Sequence, residues 1–102
     1  MNLQDQYRLL LGGYYGVREM DEYSLKEYVL QDIENYIKTF LAEHHNEQYD
    51  HDKIMEELEQ LPLKRKLQDA LIVLNKMNGS IELVLLIKKK LKEIHEQEMT
   101  MM

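Results

Sequence analysis

The 102-residue chain contains no cysteine, one proline and four glycines. Without cysteine, neither disulfides nor thiolate metal sites can form, which fits a reducing cytosol or a virus assembled there. Because proline and glycine are the residues that most often interrupt helices, their scarcity favours long helical segments. Leu, Glu, Lys, Gln and Met are abundant and are good helix formers. This composition predicts an all-α fold, in a single domain over residues 1–102.

Long apolar runs are missing as well. No stretch approaches eighteen apolar residues, so the sequence predicts no membrane span. The first residues, MNLQDQYRLLLGG, lack the charged flank and the long apolar run of a signal peptide. We therefore expect a cytoplasmic protein or, if a phage encodes it, one found in the host cytoplasm and the virion.

Charge is unevenly distributed along the chain, whose net charge is −6. Residues 19–60 contain 13 acidic and 3 basic residues, whereas residues 61–102 contain 8 basic and 5 acidic residues. An acidic middle followed by a basic end suits head-to-tail contact between copies of one chain. The alternative is that two solvated helical faces simply differ in charge.

Capping and turn residues predict a bundle of four to five helices. Asn2 is placed to cap the first helix, and the Gly12-Gly13 pair is expected to end it. Ser24 begins a capping box for the longest helix, whose apolar stripe extends from Leu25 to His44.

The C-terminal half is predicted to contain a short helix and a helical hairpin. Asp50 or Asp52 can cap the short helix. Pro62 is suited to the first turn of the fourth helix, and the Asn78-Gly79 pair is suited to a left-handed C-cap. Because Ser80 can cap the fifth helix immediately afterwards, the last two helices are expected to be antiparallel.

The two helices of this hairpin carry further predictions. The fourth is expected to pack against the long second helix. The fifth begins with an apolar run from Ile81 to Ile87, interrupted only by Glu82, which predicts burial on more than one side. Residues 98–102 are expected to be a frayed tail.

Three residues between the first two helices are candidate partner-binding residues. The glycines at positions 12, 13 and 16 predict that residues 12–20 form a loop. Tyr14, Tyr15 and Arg18 would then lie on this loop, and tyrosine and arginine are common in interface hot spots. The alternative is that Tyr14 or Tyr15 covers the core beneath the loop. The glycine spacing matches neither a P-loop nor a dinucleotide-binding fingerprint, so no cofactor is expected.

A second candidate group is basic and consists of Lys88, Lys89, Lys90 and Lys92 in the fifth helix. The default explanation is that these lysines complement the helix dipole and keep an apolar helix soluble. Contact with an acidic protein surface is the functional alternative. Direct nucleic-acid binding is not expected, because the chain is acidic overall and has no aromatic residue after Tyr49.

The segment from Glu43 to Asp52 concentrates histidine and acidic residues. Three or four ligands would have to converge to hold a metal ion, and His51 stands where a calcium loop requires glycine. We predict a polar loop between helices rather than a metal site, with His44 at the edge of the core. Neither serine of the chain has a motif for nucleophile activation, so no enzymatic activity is expected.

The order of several motifs resembles a family of phage proteins. Residues 7–12 read Tyr-Arg-Leu-Leu-Leu-Gly, residues 21–22 are acidic, and residues 25–37 place Leu, Tyr, Val and Ile along a long helix. Residues 61–80 combine a Leu-Pro start, an Asp-Ala pair and an Asn…Gly-Ser end. Over residues 7–41 and 61–80 the chain resembles the small head–tail connector proteins of tailed phages, also called head-completion or adaptor proteins. The lysine-rich helix that follows departs from the short polar tail of this family.

The resemblance implies a structural role, in which copies form a ring beneath the portal and offer a docking surface for the next tail component. The acidic long helix of one copy would meet the basic end of the next, sharing apolar surface around Leu83 to Ile87. The expected partners are a second copy of the chain, the portal and tail-completion proteins. The alternative function is a small phage or bacterial regulator that binds one host protein and inhibits or adapts it.

Overall fold

The computed structural model describes residues 2–20, 26–45 and 48–100, which form five α-helices and no strand. The predicted all-α fold of four to five helices is therefore confirmed. The helices are α1 (Leu3–Glu19), α2 (Lys26–Glu43), α3 (His51–Gln60), α4 (Leu63–Met77) and α5 (Ile81–Thr100).

Helix α1 lies at the centre of the bundle, because α2, α3 and α4 all contact it. Leu9, Leu10 and Leu11 are all buried, which a helix achieves only when neighbours cover it on several sides. Its first turn begins as predicted, since the Asn2 side chain accepts a hydrogen bond from the backbone N–H of Asp5 at 2.8 Å.

The predicted loop at residues 12–20 is wrong, since α1 continues through all three glycines of this segment. The glycines are buried and face α4. A Cβ atom on Gly16 would lie 2.5 Å from the carbonyl oxygen of Lys66, and one on Gly13 would lie 3.2 Å from the Cα of Ala70. The glycines therefore let two helical backbones approach closely. This packing offsets the roughly 0.5–1 kcal/mol that each glycine costs within a helix relative to alanine.

Helices α2 and α3 run in opposite directions along α1. Phe40, near the end of α2, packs against Tyr49, whose ring meets that of Tyr7 near the start of α1 at a centroid distance of 5.0 Å. His51, at the start of α3, also lies beside Tyr7. Farther along, α3 lines a small cavity together with the last turns of α1. Helix α2 is thus antiparallel to α1, and α3 is parallel to it.

The predicted ends of the C-terminal helices are confirmed. The side chains of Asp50 and Ser80 each accept a hydrogen bond from the backbone N–H three residues on, at 3.0 and 3.2 Å. Pro62 is the N-cap of α4 and lies one residue before its predicted place in the first turn, and Asn78 ends α4 in the left-handed conformation with φ of 54°. The predicted capping box at Ser24 lies outside the described residues.

Helices α4 and α5 form the predicted antiparallel hairpin, in which Lys64 near the start of α4 pairs with Glu98 near the end of α5 at 3.0 Å. The main neighbour of α4 is α1, however, and not α2 as the sequence predicted, because the glycines bring α1 closest to it. Residues 98–100, predicted as part of a frayed tail, belong to α5, while residues 101–102 lie outside the described ranges.

Candidate interaction surface

The first turns of α5 expose apolar residues to solvent. Ile81 is 76% exposed and Leu85 is 60% exposed, whereas Leu83 and Ile87 are fully buried. The predicted burial of this run on more than one side is therefore wrong, since α4 is the main helix that covers it. The expectation that a neighbouring copy shares apolar surface around Leu83 to Ile87 stays a prediction, in which the exposed Leu85 can take part while Leu83 and Ile87 pack inward.

Two of the candidate lysines, Lys88 and Lys92, lie on the same side of α5 as the exposed Ile81 and Leu85. Positions 81, 85, 88 and 92 are four, three and four residues apart, which places them along one side of a helix. Lys88 and Lys92 are exposed, and neither forms an ion pair with a carboxylate in the part of the chain that the structure describes. We call Ile81, Leu85, Lys88 and Lys92 the outer face of α5.

The other two candidate lysines do not belong to this face. Lys89 is exposed beside it. Lys90 is half-buried, because it follows the buried Leu83 by seven residues and so lies on the inner side of the helix. The four lysines therefore do not form one basic patch, since consecutive residues of a helix point in different directions.

The inner side of α5 holds the helix in place. Leu83 and Ile87 are part of the core, and Leu91 and Ile94 continue this side as half-buried residues. The salt bridge at the far end of the hairpin joins the last turns of α5 to α4. The outer face is thus carried by a helix whose orientation is set by α4.

The three candidate residues near the end of α1 are on a helix and not on a loop. Tyr14 and Tyr15 are half-buried against the core, and their rings meet edge to face with centroids 5.3 Å apart. This placement favours the alternative in which the tyrosines cover the core. Arg18 is exposed in the last turn of α1. The structure therefore distributes the candidate residues over two helices, α1 and α5.

Helix α3 carries a dense acidic surface that was not among the candidates. Its ten residues include four acids and one lysine, whereas α2 has four acids and two lysines in eighteen residues. Asp52, Glu56 and Glu59 are exposed and lie opposite the buried Ile54 and Leu58. None of the three carboxylates pairs with a described cation. We call Asp52, Glu56 and Glu59 the acidic face of α3, which the four- and three-residue spacing of these acids would have indicated.

Beside this acidic face is an open cavity of about 130 Å³ between α1, α3 and α4. Tyr15, Met55 and Leu58 supply its apolar lining, and Glu59 and Lys66 add charged groups. The cavity is therefore an apolar depression bordered by both signs of charge.

Two ion pairs join α1 to α4, and sequence reasoning missed both. Arg8 Nη2 lies 3.3 Å from Oδ2 of the buried Asp69, and Lys66 Nζ donates a hydrogen bond to Glu19 Oε1 at 2.5 Å. Burial raises the pKa of Asp69 above its ordinary value, and the guanidinium groups of Arg8 and Arg65 offset only part of that effect. Both pairs therefore bridge α1 and α4, and Asp69 packs directly against α1 at Gly12.

The segment from Glu43 to Asp52 brings histidine rings close to Phe40 and Tyr7. The ring of His44 is half-buried and lies 4.7 Å from that of Phe40, so its predicted place at the edge of the core is confirmed. Burial raises the pKa of Tyr7, whose hydroxyl lies 3.4 Å from Nδ1 of His51. Among the described residues, which leave out positions 46–47, no three His, Asp or Glu side chains are close enough to share a metal ion.

No protein-family model, curated protein or solved structure matches this chain. The resemblance to phage head–tail connectors therefore stays a prediction from the sequence. None of the described helices is long and apolar enough to cross a membrane.

Proposed function

We propose that this chain is a non-enzymatic protein-binding component that docks on its partner through the outer face of α5. The observation that carries the proposal is the exposure of Ile81 and Leu85 on an ordered helix, next to two lysines without a described ion-pair partner. Exposed apolar residues bordered by charge are typical of protein interfaces, whose apolar centre is desolvated while the charged rim stays wet. The complementary partner surface is apolar and acidic.

The proposal includes no catalytic role. The buried carboxylate of Asp69 pairs with Arg8 and packs against Gly12. Because Asp69 lies in the contact between α1 and α4, we attribute its perturbed pKa to the packing of these helices.

The specific form that we propose is a phage head–tail connector, with copies assembled as a ring beneath the portal. Its support is the motif order over residues 7–41 and 61–80. The motifs of the first and last segments lie on α1 and α4, which pack closely against each other. In this form, α5 takes the place of the short polar tail and supplies the docking surface.

Binding to the portal protein of a tailed phage tests the proposal. The purified chain is expected to co-elute with the portal ring in size-exclusion chromatography. Leu85→Asp should abolish co-elution, because it places a charge in the apolar centre of the outer face. Tyr28→Asp is the matched control, since Tyr28 is 71% exposed on α2, and it should leave binding unchanged.

The outcomes of this experiment distinguish a portal-binding connector from a regulator of a host protein. A wild-type chain that never binds a portal would overturn the connector form. A one-to-one complex with an identified host protein, lost in Leu85→Asp, would identify a regulator of that protein instead. Full portal binding by Leu85→Asp would exclude the outer face of α5 as the docking surface.

A further inference from the structure

We infer that the outer face of α5 docks on the acidic face of α3 in a second copy of this chain. The inference rests on the proposed function and names the surface that receives α5. Such docking requires two exposed surfaces of opposite charge whose charged residues have the same spacing. It also requires that these surfaces do not pair with each other within one copy.

The charges of the two faces are complementary. Lys88 and Lys92 are exposed on α5, and Asp52, Glu56 and Glu59 are exposed on α3. Within the described ranges, none of these five side chains has an ion-pair partner. Because the chain carries a net charge of −6, two copies repel each other unless the basic part of one meets the acidic part of the other.

The spacing of the charges also matches. Lys88 and Lys92 are four residues apart, as are Asp52 and Glu56. At the rise of an α-helix, both pairs are separated by about 6 Å along their helix axes. Two helices that lie side by side can therefore form both ion pairs at once.

The apolar residues of the outer face have a complementary apolar cavity next to α3. The cavity of about 130 Å³ lined by Tyr15, Met55 and Leu58 opens beside Glu59. Leu85 precedes Lys88 by about one helical turn. When the lysines meet the acids, Leu85 enters this cavity, which gives the contact an apolar centre as well as a charged rim.

The contact joins two different surfaces and is therefore heterologous. Each added copy still presents a free α3 face at one end and a free α5 face at the other, so copies add head to tail. Such a series either closes into a ring or continues as a filament. Leu83 and Ile87 take no part, because they are buried in their own copy.

A charge-swap series tests this inference, with assembly measured by sedimentation velocity at low and high salt. The wild-type chain should associate at low salt and approach the 12.3 kDa monomer at high salt, since salt screens exposed ion pairs. Lys88→Glu/Lys92→Glu and Asp52→Lys/Glu56→Lys should each stay monomeric, because each variant places like charges across the contact. The variant with all four substitutions keeps the net charge of −6 and should associate again.

Glu27→Lys/Asp32→Lys is the matched control. It changes the net charge by the same amount as Asp52→Lys/Glu56→Lys, but at exposed positions of α2. This variant should associate like the wild type. Circular dichroism of every variant should remain helical, because all the substituted side chains are exposed.

A wild-type chain that is monomeric at every salt concentration overturns the inference, even if it binds a portal through α5. Salt-sensitive assembly that the four-substitution variant restores supports the inference, even if no portal binds. Association that needs added DNA, or that survives Asp52→Lys/Glu56→Lys, identifies another partner for α5 and overturns the inference.

Discussion

Gly16 lies where the backbones of α1 and α4 come close together. A Cβ atom at this position would meet the carbonyl oxygen of Lys66 at 2.5 Å and its carbonyl carbon at 2.7 Å. Both are backbone atoms, so neither can rotate away. Alanine at this position would therefore force the helices apart, although alanine normally stabilises a helix relative to glycine.

We expect Gly16→Ala to lower the free energy of unfolding by about 1–3 kcal/mol, the usual cost of overpacking a core. Chemical denaturation followed by circular dichroism measures this change. Arg18→Ala is the control, because its side chain is exposed in the same helix, and it should change the stability by less than about 0.5 kcal/mol. A Gly16→Ala variant more stable than the wild type would mean that helix propensity outweighs close packing.

Asp69 makes the free energy of unfolding depend on pH. Its pKa is raised in the folded chain chiefly because burial disfavours the charged carboxylate, while Arg8 and Arg65 act in the opposite direction. The folded chain therefore holds this proton more tightly than the unfolded chain does. The contribution to stability is fully present below the ordinary aspartate pKa and is lost as the pH rises through the raised pKa.

Asp69→Asn removes this titration. The stability of the wild type relative to Asp69→Asn should fall as the pH rises from about 4 toward neutral. Urea denaturation at a series of pH values measures the difference. Asp32→Asn, at an exposed position of α2, controls for the loss of one negative charge. A relative stability that rises with pH would mean that the Arg8 ion pair outweighs desolvation.

At the scale of the element, α5 divides an apolar run between two environments. Ile87 is fully buried, whereas Leu85, two residues earlier, is 60% exposed. Only the inner residues of the run contribute packing energy to a single copy. The outer residues remain available for a partner.

Two alanine variants separate these roles. Ile87→Ala is expected to lower the free energy of unfolding by about 2–5 kcal/mol, the range for a large side chain removed from a core. Leu85→Ala should change it by less than about 0.5 kcal/mol. Denaturation at high salt, where association is screened, makes the comparison. Equal destabilisation by both variants would contradict one-sided packing of α5.

The boundaries of several helices were predictable because their causes are local. Asp50 and Ser80 cap helices by hydrogen bonds to backbone groups only three residues away, and Asn78 ends α4 through its own backbone conformation. The continuation of α1 through residues 12–16 was not predictable in this way. Its cause is the backbone of α4, about fifty residues farther along the chain.

At the scale of the whole molecule, the sequence did not predict which apolar residues stay exposed or which charged residues become buried. The exposure of Ile81 and Leu85 was missed because apolar residues favour burial without specifying whether their own chain or another provides it. Asp69 and Lys66 were missed as buried groups because charged residues usually stay in solvent. Both errors concern contacts that helical spacing alone does not determine.

The glycines and the two ion pairs between α1 and α4 together favour one register of these helices. Sliding α1 by one turn, about 5.4 Å, would press side chains against the backbone of α4 where glycines now lie. It would also leave Asp69 and Lys66 buried without their partners, which is costly. Since α4 in turn carries α5, this register fixes the angle at which α5 meets a neighbour. Every copy added to an assembly would then join at the same angle, so that a ring or filament would have a single curvature.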